Sequence, residues 1–246
     1  MELLANSPEP LTLTEVANQM GTNKTSAQRF LYTLMKLGYV DRLEHKRYCL
    51  GNKVLSLAHQ FLGSNGLSVI AEPILSELSL TMDKSVSLGV LDDAEVLMLH
   101  REERMRFHPY AVHVGSKVPC HCTTTGKVLL AGLPDDELKT LIDRLDMAPI
   151  TPKSITNRQE LLEEVLRTRS MGYGVADQEF SLDLYSMGVP VLDRFGSVVA
   201  AASISLTIHD KDKENVVKQA KTKLIEAGMR ISRGLGYEGE YPRITP

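Results

Sequence analysis

Between Asn23 and Val40 the chain carries no Asp or Glu, and its apolar and polar residues separate onto opposite sides of a helix. At roughly 100° per residue, Ala27, Phe30, Leu31, Leu34 and Leu37 gather on one face, and Thr25, Gln28, Arg29, Tyr32 and Lys36 on the other. Alone, this would be an ordinary surface helix, so its neighbours decide the reading. A shorter helix opens at Leu13-Thr14-Glu15-Val16-Ala17, with Thr14 placed to cap it, and Gly21 ends it. The connection Gly21-Thr22 is tight, which is the helix-turn-helix arrangement. The polar face offers hydrogen-bonding and cationic groups suited to base edges and phosphates, where an acid would be repelled. Tyr39 to Leu43 and Lys46 to Leu50 read as strands around Glu44-His45, a hairpin whose Arg42, Lys46 and Arg47 can lie on a sugar-phosphate backbone. These features predict a winged helix-turn-helix that binds double-stranded DNA.

The overall charge of −3 hides an uneven split. Residues 1–66 hold seven Lys/Arg against five Asp/Glu, net +2, and the remainder 21 against 26, net −5. A length of 246 residues suits two domains. No apolar run approaches the roughly 20 residues of a membrane helix, the N-terminus lacks the basic flank and apolar core of a secretory signal, and three cysteines cannot build a disulfide framework. A cytoplasmic protein with no membrane association is expected.

Beyond Asn52 the pattern changes. Asn52 to Leu62 reads as a helix with Val54, Leu55, Ala58, Phe61 and Leu62 along one stripe, more apolar than a water-facing linker should be, and Gly63-Ser64-Asn65-Gly66 punctuates it. From Leu67 the chain mixes helices and strands. A helix with Ile70, Ile74, Leu75 and Leu78 leads into alternating segments at 86–91 and 95–99. Helices follow at 124–133, 135–145 and 158–171, and strands at 186–192 and 198–206. A last amphipathic helix is capped by Asp210 or Asp212. The fold class is α+β multidomain, with expected boundaries at 1–51, 52–66 (linker helix) and 67–246.

The string Leu13-Thr14-Glu15-Val16-Ala17, Gly21 through Leu34, Leu37-Gly38-Tyr39-Val40 and Tyr48-Cys49-Leu50-Gly51 resembles the N-terminal domain of the IclR family of bacterial transcriptional regulators. The likeness continues through Pro119 to Ala131, Gly172-Tyr173, Asp177-Gln178-Glu179, Val189-Pro190-Val191 and Ala201 to Ser205. It implies a winged helix, a linker helix and a GAF-like α/β domain that binds a small effector. Carried over residue by residue, it makes Lys24, Thr25, Ser26, Gln28, Arg29 and Tyr32 DNA contacts, and it places Thr124, Thr125, Asp177, Ser186, Ser203 and Ser205 around the effector.

Read without that resemblance, Thr123-Thr124-Thr125-Gly126 before a helix is either a capping sequence or a nest of donors suited to a carboxylate. Ser203 and Ser205 share one face of an otherwise apolar strand, which lines either a pocket or solvent, and Ser186 opens the strand beside it. No Arg or Lys is expected in the pocket besides Lys127, whose helical position can turn it away. That favours a small organic acid over a polyphosphate. Cys120-His121-Cys122 alternates in an extended segment with no second cysteine pair at a ligand spacing, so no metal site is expected. Gly234-Leu235-Gly236-Tyr237-Glu238-Gly239 matches a dinucleotide fingerprint but leaves no room for the strand–helix–strand unit that gives it meaning, and no cofactor is expected. The competing reading is an enzyme with a GAF-like catalytic domain and a helical oligomerisation module. His100, His108, His113 and His121 would supply its bases, but no spacing unites them. Because one recognition helix reads few base pairs, a homodimer or tetramer is expected.

Overall fold

In the computed structural model, which describes residues 1–64, 66–104, 112–210 and 212–246, the chain divides into two units, Met1–Ser64 and Asn65–Pro246. The first begins with a single helical turn, α1 (Glu2–Ala5), and a two-residue strand, β1 (Leu11–Thr12), that runs straight into α2 (Leu13–Gln19). The cap of α2 is Thr12 rather than Thr14. Thr12 Oγ1 accepts from the Glu15 N–H, and the Glu15 carboxylate accepts from the Thr12 backbone at 2.7 Å. The spacing Thr-x-x-Glu satisfies two orphan donors at once, which Thr14 could not do from inside the first turn. Gly21, at φ +61°, carries the chain out of the helix in the left-handed conformation, as glycine allows at low cost.

The recognition helix α3 (Lys24–Lys36) is capped by Asn23, whose side chain accepts from the Ser26 N–H at 2.8 Å. Ala27 and Leu31 are buried with Leu11, Val16, Ala17, Val40 and Tyr48, and Leu34 packs against this core. The apolar stripe is narrower than its periodicity predicts: Phe30 and Leu37 are 58% and 49% exposed, because this small core covers only the middle of the stripe. β2 (Val40–Arg42) and β3 (Arg47–Leu50) form the wing hairpin, and β1 adds on the far side of β3. Its tip is a short 3-10 turn at Glu44–Lys46, with His45 and Lys46 both at positive φ, wider than a two-residue turn. The helix after it, α4 (Lys53–Ser64), extends past the expected end at Leu62 and buries none of its residues.

The second unit starts with α5 (Gly66–Met82), followed by β4 (Ser85–Asp92), β5 (Glu95–Glu102), a short β6 (Lys117–Pro119), α6 (Thr124–Ala131), α7 (Asp135–Arg144) and α8 (Arg158–Met171). β7 (Gly174–Asp177), β8 (Leu184–Leu192), β9 (Val198–Thr207) and α9 (Lys213–Gly234) complete it. Neither β6 nor β7 is evident from the sequence, because three or four residues are too few to show a period of two. The six strands pair antiparallel in the order β6-β5-β4-β9-β8-β7. α6, α7 and α8 pack with Val96, Met98 and Ala201 on one face of the sheet, and α5 and α9 cover the other. Asp212 stands at the start of α9 but makes no side-chain cap. Asp210 is engaged elsewhere, accepting from the Thr207 N–H and from Lys84 Nζ at 2.6 Å.

Candidate functional site

Two surfaces carry the residues singled out by the sequence. On the first unit, Lys24, Thr25, Gln28, Arg29 and Tyr32 are exposed on one side of α3, and Ser26 is half-buried beside its cap. Lys36 Nζ lies over the Tyr32 ring, 5.5 Å from its centre. Thr25, Gln28, Arg29 and Tyr32 share a cleft with Arg42 of β2, so that cation stands beside the helix rather than at the wing tip. Lys46 is exposed at the tip. Arg47 is held back: its guanidinium donates to the Pro10 carbonyl at 2.7 Å and lies 4.0 Å from the Glu9 carboxylate, tying the wing to the chain before β1.

On the second unit, strand register builds a polar floor. Ser87 of β4 pairs with Arg101 of β5 on one side and Ser203 of β9 on the other, while Ser205 pairs with Ser85 and with Ser186 of β8. Residues two apart on a strand share a face, so Ser87, Ser203, Ser205 and Ser186 look into one cavity. Over this floor sits the N-terminus of α6. Thr123 caps it, its hydroxyl accepting from the Gly126 N–H at 3.2 Å and donating to the Pro119 carbonyl at 2.7 Å. Thr124 and Thr125 are buried in the cavity wall. Gly188 lets the helix come this close, since a Cβ there would lie 3.1 Å from the Thr124 side chain. The cleft spans about 540 Å³ when the open solvent at its mouth is counted.

Three expectations for the site are corrected, and Lys127 is turned away as its helical position allows. Asp177 is exposed at the end of β7. Ala176, paired with Ser186, takes the cavity position, because one step along a strand reverses the side chain. Gly126 backs onto Cys120 instead of facing the cavity, with no room there for even a Cβ. The cavity does contain a cation, and it is Arg101: Nη1 donates to Ser87 Oγ at 2.8 Å and Nη2 pairs with Glu103. Nothing in the spacing around Arg101 signals this, because the register across four strands puts it there. Lys127 turns away and is buried, with Nζ 2.6 Å from Glu179 and 2.9 Å from the Val175 carbonyl. Burial pushes the Glu179 carboxyl above its ordinary range, against the pull of Lys127.

Cys120, His121 and Cys122 are all buried, and burial pushes both thiols up to about 12, so they stay protonated. Among the described residues, no three metal-ligating side chains cluster and no helix is long and apolar enough to cross a membrane. His108 lies outside the described residues, and His121, bound to the Ala148 carbonyl, follows β6 beyond the Glu95 end of β5 while His100 stands toward the other end of that strand.

A winged helix-turn-helix joined in one chain to an α/β unit with a cavity that gathers serine and threonine hydroxyls and an arginine defines a DNA-binding regulator that responds to a small molecule. Residues 1–44 match the IclR helix-turn-helix domain and residues 59–233 the bacterial transcriptional regulator IclR C-terminal domain, and the chain belongs to the IclR family. It is 30% identical over 239 residues to the HTH-type transcriptional regulator XynR of Escherichia coli K12, covering 96% of this chain and 94% of that protein. It is 33% identical to the p-hydroxybenzoate hydroxylase transcriptional activator of Acinetobacter baylyi, over 82% of this chain and 76% of that one. The crystal structure of Thermotoga maritima IclR superposes with a TM-score of 0.73 at 28% identity, over 96% and 95% of the two chains. The protein is a transcriptional regulator.

Proposed function

We propose that the protein controls a catabolic operon in response to a small organic acid bound in the cavity beneath α6. The observation that carries this reading is Arg101. It is a cation held in place by Ser87 and Glu103, set in a floor of serine hydroxyls and facing the positive end of a helix. One guanidinium with neutral donors suits a single carboxylate, and a polyphosphate would want several cations. Thr124, Thr125, Ser186, Ser203 and Ser205 serve as further donors, and Thr123, its proton given to the Pro119 carbonyl, borders the site as the cap of α6. The activator of p-hydroxybenzoate hydroxylase in Acinetobacter, one of the relatives, is named for control of an enzyme acting on such an acid.

In this reading residues 1–51 bind operator DNA, with Lys24, Thr25, Ser26, Gln28, Arg29 and Tyr32 on the duplex and Arg42, Lys46 and Arg47 supporting them from the wing. Residues 52–66 link this domain to the effector domain at 67–246. The apolar residues left uncovered on α4, with Leu55, Leu57 and Phe61 at least half exposed, support a homodimer or a tetramer. A melting-temperature screen of the full chain against small carboxylates tests the effector class, since a ligand bound only by the folded state raises the midpoint. A stabilising acid whose effect disappears in Arg101→Gln is the expected result. A panel in which no carboxylate stabilises the protein overturns the reading.

A further inference from the structure

The cation that carries the acid reading already has a carboxylate partner within the chain. Glu103 stands two residues beyond Arg101. Its Oε2 accepts from Arg101 Nη2, and its Oε1 accepts from Ser85 Oγ at 2.6 Å. Ser85 and Ser87 lie two apart on β4 and share the face that floors the cavity, so the pair sits on the cavity side of the sheet. Arg101 and Glu103 compensate each other there, and binding an acid does not by itself account for Glu103.

A carboxylate that entered with this pair in place would be a second anion on one guanidinium, and two carboxylates at one site repel. One of them has to leave. Glu103 is the one that can: its side chain is 39% exposed, against 10% for Arg101, so water takes up its charge as it turns away. Its hold is also divided. One oxygen is on Arg101 and the other on Ser85, so it gives the guanidinium one oxygen where a free carboxylate can offer two.

We propose that Glu103 is a built-in competitor for the effector's carboxylate: it holds Arg101 until an acid replaces it there, and this exchange sets acids apart from neutral molecules of the same shape. The proposal rests on the cavity being the acid site. A neutral ligand can bond the serine hydroxyls, but it brings no charge to compensate Arg101 when Glu103 leaves, so the internal pair stays closed. The competitor lowers the affinity of every acid and makes the exchange selective for anions. It also gives the site two arrangements, Arg101 on Glu103 or Arg101 on the effector, which an acid can tell apart.

The test is titration calorimetry of the full chain with acids and their amides: benzoate and benzamide, phenylacetate and phenylacetamide, butyrate and butyramide. Wild type is compared with Glu103→Ala, which removes the competitor, and Glu103→Gln, which keeps an oxygen for Arg101 without the charge. For each acid that binds, Glu103→Ala is expected to tighten binding about 5–50-fold, between the scale of an exposed ion pair and that of a charged hydrogen bond, and Glu103→Gln to tighten it by less. The amides are expected to stay within about twofold across the three proteins, as for a surface substitution that touches nothing they use. A crystal structure of the complex with the acid that binds tightest is expected to show the ligand's carboxylate on Arg101 and Glu103 turned toward solvent. Acid affinities that do not rise in Glu103→Ala overturn the proposal and leave the acid reading standing. So do amides that gain as much as their acids, and so does a complex in which Glu103 still pairs with Arg101 beside the bound carboxylate. A carboxylate seated away from Arg101, or failure of all three acids to bind wild type and both variants, overturns the acid reading and this inference with it.

Discussion

Arg29 and Lys46 are both exposed cations of the DNA-binding unit, yet they are expected to act differently. Arg29 shares the cleft of α3 with Gln28 and Tyr32, the face proposed to meet base edges, so Arg29→Ala is expected to weaken operator binding by about 1–3 kcal/mol and relax specificity at one position. Lys46 stands on the wing tip. Lys46→Ala is expected to weaken all sequences alike and lower the salt slope by about one unit. Fluorescence anisotropy at several salt concentrations separates the two, and an unchanged affinity in Arg29→Ala means the helix meets DNA by another face. His121 bears on stability. Burial holds its imidazole below the ordinary range, although the Ala148 carbonyl and Asp146 pull the other way. The unfolded chain therefore binds the extra proton first, so its contribution is intact above about pH 6.5 and lost as pH falls toward the folded value. The melting temperature is expected to fall less steeply between pH 7.5 and 5.5 in His121→Asn than in wild type, and parallel curves would sink the argument.

At the scale of elements, α6 shows tertiary contact overriding local preference. Alanine is the better helix former, and by that measure Gly126→Ala should stabilise the helix by about 0.5–1 kcal/mol. The added Cβ would lie 2.3 Å from the Cys120 backbone, which cannot move aside as a flexible side chain could. A net loss of about 1–3 kcal/mol is expected in urea unfolding, and a gain would show that Cys120 yields easily. The same contact explains why the glycine was legible in the sequence but its role was not. The spacing before α6 reads as a nest open to ligand, and in the fold the glycine serves the packing of the helix against its own entry segment. The cap of α2 is the reverse case. Thr12 and Glu15 stand at the spacing of a reciprocal cap, so that helix start is written locally, in Thr12 rather than Thr14.

For the whole molecule, control of transcription requires that the effector favour one state over another, because a ligand with equal affinity for both shifts nothing. Ser203→Ala with Thr125→Val is expected to abolish the effect of the acid on operator affinity while sparing binding without it. An unchanged ligand-induced shift in gel mobility assays places the effector elsewhere. Pairing of half-sites makes a further demand, met in the proposed reading by α4. Light scattering at micromolar concentration is expected to give a dimer or larger, and a monomer there removes α4 from that role.

What the chain states locally could be read from it directly. The absence of acids along α3, the glycines that end α2 and α3, and the basic hairpin that follows are short-range patterns, and they are enough to specify a DNA-reading unit. Membership of the cavity could not be read that way. Ser87, Arg101, Ser186 and Ser203 lie on four strands, and their meeting depends on cross-strand register, which no local pattern encodes. A slip of one residue sends a side chain to the opposite face, which is why Ala176 and not Asp177 borders the cavity. Lys127 and Glu179, 52 positions apart, are joined only in the fold, where a buried ammonium has to find a carboxylate because no water remains to solvate it.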